Sequence, residues 1–63
     1  MPKTNITVNL IGQDGNGFGI ISKVNKALKR AGYKNEAETF MKEAMSGDYD
    51  HLLRTVMEYV EVE

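Results

Sequence analysis

Residues 4–11 read TNITVNLI, residues 12–19 read GQDGNGFG, and residues 20–31 read IISKVNKALKRA. The period of the apolar side chains changes across this stretch. Ile6, Val8 and Leu10 alternate with Thr7 and Asn9, the period of two expected of a half-buried strand. Four glycines between 12 and 19 then interrupt it. Beyond them Phe18, Ile21, Val24, Leu28 and Ala31 recur at helical spacing, with Lys23, Lys26 and Arg30 on the other side. Gly32 after Lys29-Arg30-Ala31 predicts a left-handed C-terminal cap with cations near the last carbonyls.

The remaining elements follow outward from this one. Asn35 and Glu38 form a capping-box-like pair that predicts a second helix, with Ala37, Phe40, Met41, Ala44 and Met45 as its apolar stripe and Gly47 as its end. Asp48 is placed to cap a third helix carrying Tyr49, Leu52, Leu53, Val56 and Val60. Residues 59–63, YVEVE, alternate and hold two valines, so the helix is expected to yield to a strand near Glu58. That strand is expected to pair with residues 4–11. The predicted fold is therefore α+β, a β-α-α-α-β domain covering residues 1–63, with a short two-stranded sheet packed on helices.

Such a sheet is barely stable alone and leaves two open edges. A chain of 63 residues also buries only about 60% of the surface its unfolded form exposes. No cysteine is available for a disulfide, and His51 is the only histidine for a zinc site, so neither metal nor cofactor is expected. Oligomerisation is the device that remains. Charge points the same way. Residues 1–34 carry six basic side chains and one acid, +5, whereas residues 35–63 carry two and eight, −6. This polarity suits head-to-tail self-association or an ionic partner, although two solvated helix faces are its first reading. The N-terminal residues hold no apolar signal-type region and no run suits a bilayer span, so a cytoplasmic protein without membrane contact is expected.

Two polar clusters are candidates for chemistry. The first is Asp14-Gly15-Asn16-Gly17-Phe18-Gly19, at a strand-to-helix turn. Glycine lets a ligand approach the backbone, and the first amides of a helix favour an anion. No Gly-Lys-Ser/Thr closes the turn as in a P-loop, and the spacing is not that of a dinucleotide fingerprint. An ordinary connection capping the helix accounts for the same residues. Phe18 reads first as the start of the core stripe and second as a stacking platform. The second cluster, Gly47-Asp48-Tyr49-Asp50-His51, lies at another helix start, where capping and dipole complementation also account for it. Neither cluster sets a nucleophile beside His51, so no enzyme is expected. The basic face of the first helix matches no nucleic-acid-binding module.

Two stretches, residues 9–20 (NLIGQDGNGFGI) and residues 46–53 (SGDYDHLL), resemble a pattern in small phage and prophage proteins of unassigned activity. The resemblance implies a phage-encoded protein in bacterial cytoplasm. By analogy with small oligomeric phage proteins that counter host defences, it implies a sponge that sequesters nucleotide-derived immune signals between subunits. In that reading amides of residues 15–19 hold a phosphate and Asp14 and Asn16 meet sugar hydroxyls. Tyr49, His51 and Arg54 complete the pocket, from the same or a neighbouring subunit. The alternative is an interaction module that docks on and inhibits a host protein through Glu58, Glu61 and Glu63. A hydrolase using His51 is the third and weakest reading.

Overall fold

The computed structural model describes residues 2–12 and 15–63. The element order is β1 (Thr7–Val8), α1 (Gly17–Arg30), α2 (Lys34–Ala44), α3 (Tyr49–Tyr59) and β2 (Glu61–Val62). This is the expected β-α-α-α-β arrangement. β1 and β2 pair in parallel, Thr7 opposite Glu61 and Val8 opposite Val62. With three helices between the strands the chain turns at four connections, an even number, so the second strand returns in the direction of the first. A parallel pair needs such a long crossover and cannot be closed by a tight turn.

Each helix is built from its local signals, with corrections at the ends. Asn16 caps α1, its Oδ1 accepting from the Gly19 amide at 3.0 Å. At the other end Gly32 takes φ +93°. Its amide donates to the Lys29 carbonyl and that of Tyr33 to the Leu28 carbonyl, at 3.0 and 2.9 Å. This is the paired C-terminal closure that glycine permits. It delivers the chain so directly into α2 that Tyr33, without any side-chain cap, becomes the N-cap. The expected Asn35 cap is thus displaced by two residues. Asn35 lies inside the first turn, where its carbonyl accepts from the Thr39 hydroxyl at 3.0 Å. α2 ends at Ala44 rather than at Gly47. Asp48 does cap α3, its Oδ1 accepting from the His51 amide at 2.9 Å.

The core lies where the three helices meet beneath the sheet. Val24 and Leu28 of α1 and Ala37 and Phe40 of α2 are wholly buried, with Leu52, Val56 and Tyr59 from α3 and Val8 and Val60 from the strand ends. Phe40 and Tyr59 meet edge to face, ring centroids 5.5 Å apart. Two stripe assignments change. Ile20 is buried in α1, whereas Phe18 is 79% exposed and Ala31 is also at the surface. Met45, assigned above to the stripe of the second helix, is exposed, as is Met57. No helix among the described residues is long and apolar enough to cross a membrane.

The strand read over residues 4–11 is paired only at Thr7–Val8. β2 offers two residues to pair with, and the earlier part of the segment has another task. The last carbonyls of α3 have no intrahelical donors. The Lys3 amide donates to the Glu58 carbonyl at 2.7 Å, and the Thr4 amide to that of Tyr59 at 3.1 Å. The buried Thr4 hydroxyl donates to the same Tyr59 carbonyl at 2.6 Å. Lys3 Nζ stands 4.8 Å from the centre of the Tyr59 ring. Thr4→Val keeps the shape and loses the hydroxyl bond, which should cost about 1 kcal/mol. Urea unfolding should register that loss in Thr4→Val and recover most of it in Thr4→Ser.

Candidate functional site

The glycine-rich turn and the start of α3 lie far apart in sequence and adjacent in space. The Gly15 amide donates to the Tyr49 hydroxyl oxygen at 2.9 Å. Gly15 takes φ +73°, a conformation that disfavours L side chains. The bond holds the Tyr49 ring against the turn and leaves the phenolic proton able to donate. Gly17 brings α1 close to α3, since a Cβ there would lie 3.3 Å from Leu52 Cδ2.

Between them runs a groove of about 450 Å³. Ile21, Ala44 and Leu52 contribute apolar floor, Gly15, Asn16 and Gly17 one wall, and Gly47, Asp48 and Tyr49 the other. Phe18 and Met45 complete the lining, 79% and 58% exposed respectively. The N-termini of α1 and α3 both border the groove, so the positive ends of two helix dipoles converge on it. Within α1, Asn16 takes the Gly19 amide and the Asn16 carbonyl takes that of Ile20. The Gly17 and Phe18 amides belong to the first turn, where no intrahelical carbonyl serves them. The groove therefore combines an aromatic rim, an apolar floor, two helix starts and the Asp48 side chain.

Of the nine residues expected to bind a ligand, five line this groove: Gly15, Asn16, Gly17, Phe18 and Tyr49. Asp14 lies outside the described residues. Gly19 is set back, its amide occupied by the cap. Asn16 lines the groove, with its Oδ1 accepting the cap bond from the Gly19 amide. Arg54 is exposed on α3 and does not line the groove. Met45 and Asp48 were not foreseen there. Met45 continues the helical spacing of α2, but it follows the last helical residue, which frees it from the core.

His51 is the clearest correction. Its Nε2 lies 2.8 Å from the Glu43 carbonyl, 3.3 Å from Ser46 Oγ and 3.5 Å from Thr55 Oγ1. A carbonyl only accepts, so this contact assigns the ring proton to Nε2. The imidazole fastens the C-terminal end of α2 to α3, facing the αα connection and not the ligand groove. Gly47 makes room for it, since a Cβ there would come within 2.7 Å of His51 Cγ and 2.8 Å of His51 Cβ.

The chain matches no protein-family model, no curated protein and no solved structure. The crowding at Gly47 yields a direct check. Gly47→Ala forces the connection to shift and should cost about 1–3 kcal/mol. For a domain of this size that is a fall of about 4–8 °C in Tm per kcal/mol, readable by circular dichroism.

Proposed function

We propose that the protein is a non-enzymatic binder that sequesters a small ligand bearing a flat ring and an anionic group, and that it acts as an oligomer. A nucleotide-derived immune signal is the ligand class that the phage resemblance implies. The observation that carries this reading is Phe18. A phenylalanine beside an apolar groove gains by burying its ring, yet this one is 79% exposed at the mouth while Ile20 takes the core position. Beside it Tyr49 is held by Gly15, so two aromatic side chains border one groove. A flat ring entering there gains stacking and covers apolar surface. The first-turn amides of α1 favour an anionic group at the same mouth.

Binding suits these groups better than catalysis. The His51 ring is engaged by the Glu43 carbonyl on the far side of Gly47. The described groove lining contains no lysine or arginine, so charge neutralisation of a phosphate falls to the amides or to a neighbouring subunit.

Calorimetric titration with mononucleotides and cyclic oligonucleotides tests the proposal. One member of the panel should bind. Phe18→Ala should weaken it by about 5-fold to 150-fold, the range of a lost base–aromatic stack. Because Phe18 is mostly exposed, stability should change by no more than about 0.5 kcal/mol. Gly17→Leu, which sets a side chain over the Leu52 floor, should abolish binding while far-UV circular dichroism is retained. Unchanged affinity in both variants would remove the groove from consideration.

A further inference from the structure

Among the described residues the sheet has two strands, and neither outer edge is covered by a third. The Glu61 and Glu63 amides donate to the Ile6 and Val8 carbonyls, at 2.8 and 2.9 Å. Backbone polar groups point to alternate sides along an extended chain. Thr7 and Asn9 therefore direct amide and carbonyl away from β2, and Val62 directs its own away from β1. Rows of such groups are templates for another strand.

The surroundings of the two edges carry opposite charge. Beside β1, Thr7, Val8 and Asn9 share a groove with Lys23, Lys26 and Arg30 of α1. At β2, Glu61, Val62 and Glu63 share another with Pro2, Met57, Val60 and, across the sheet, Thr7. All five charged side chains are exposed, and among the described residues none is held in an ion pair within its own chain. Met57 and Val62 are 56% and 45% exposed, an apolar strip beside the acidic edge.

We infer that β2 of one copy pairs with β1 of the next, head to tail, continuing the parallel sheet from subunit to subunit. The Val62 amide donates to the next copy's Thr7 carbonyl, and that copy's Asn9 amide donates to the Val62 carbonyl. Glu61 and Glu63 come against Lys23, Lys26 and Arg30, while Met57 and Val62 are covered. A second copy is the occupant because one chain supplies both halves of the contact. Each edge offers the strand and the sign of charge that the other lacks. The interface is heterologous, so it generates a closed ring or a filament rather than a two-fold dimer. None of these residues lines the Phe18 groove, so variants at the strand edges leave its lining unchanged.

Native mass spectrometry and light scattering across a concentration series test the inference. The wild-type chain should run at multiples of one chain's mass, shifting to smaller species as salt is raised. Lys23→Glu/Lys26→Glu/Arg30→Glu should reduce it to a single chain, as should Glu61→Lys/Glu63→Lys. Mixing the two variants should restore assembly, because each then offers the sign that the other needs. Val62→Pro removes only the outward amide and leaves the Glu61 and Glu63 bonds in place. It should be a single chain with unchanged far-UV circular dichroism, whereas Phe18→Ala should assemble as wild type. A wild-type chain that stays single at every concentration overturns the inference. So does a mixture that does not co-assemble, or a single-chain species that takes up a foreign protein on its acidic edge instead.

Discussion

The Tyr59 carbonyl holds this molecule together. It lies at the end of α3, where a helix leaves its last acceptors without donors. The chain answers with residues from its opposite end, as Thr4 donates to that oxygen through both amide and hydroxyl. Lys3 supplies the neighbouring Glu58 carbonyl and sets its ammonium over the Tyr59 ring. Once residues 3 and 4 are fixed there, Ile6 and Val8 stand in register to receive Glu61 and Glu63. The sheet is thus a continuation of a helix cap. Two residues per strand would not hold themselves. They persist because both strand ends are already tied to α3 and bury Val8 and Val60 above Phe40 and Tyr59.

The candidate groove depends on the same logic applied at the other end of α3. Its two walls are helix starts, each capped by its own residue, Asn16 or Asp48. Gly15 and Tyr49 tie them together, and the His51–Glu43 contact fixes the α2–α3 connection behind. Several polar groups of the two clusters are consumed in building the site: Asn16 and Asp48 cap helices and His51 holds the Glu43 carbonyl. What lines the groove is backbone, apolar surface, two aromatic rings and the two capping side chains, Asn16 and Asp48. Those are features of recognition by shape and stacking.

Helix positions were largely legible in the sequence because their signals are local: the stripe from Ile21 to Leu28, the cation-glycine ending at Gly32, and the Asp48 cap. The change from helix to strand near residue 59 was also legible, in the alternation of Val60 and Val62. What escaped involved competition between distant parts. Whether Phe18 or Ile20 enters the core depends on how α1 is rotated against α3, and spacing alone admits either. The Asn35 cap failed because the closure at Gly32 began the next helix earlier. Residues 4–6 looked like strand because nothing nearby shows that α3 needs their donors. His51 suited a site when read beside Asp50, and only the return of α2 to its side shows that it is a fastener.

The parallel pairing of β1 with β2 also sets the order of assembly in time. The helix contacts join neighbours in sequence, α1 with α2 and α2 with α3, and require only short loops to close. The pairing of Thr7 with Glu61 closes a loop of nearly the whole chain, and such long-range contacts form slowly. The donors for the end of α3 precede it, at Lys3 and Thr4, whereas β1 stays unpaired until Glu61 and Glu63 reach it.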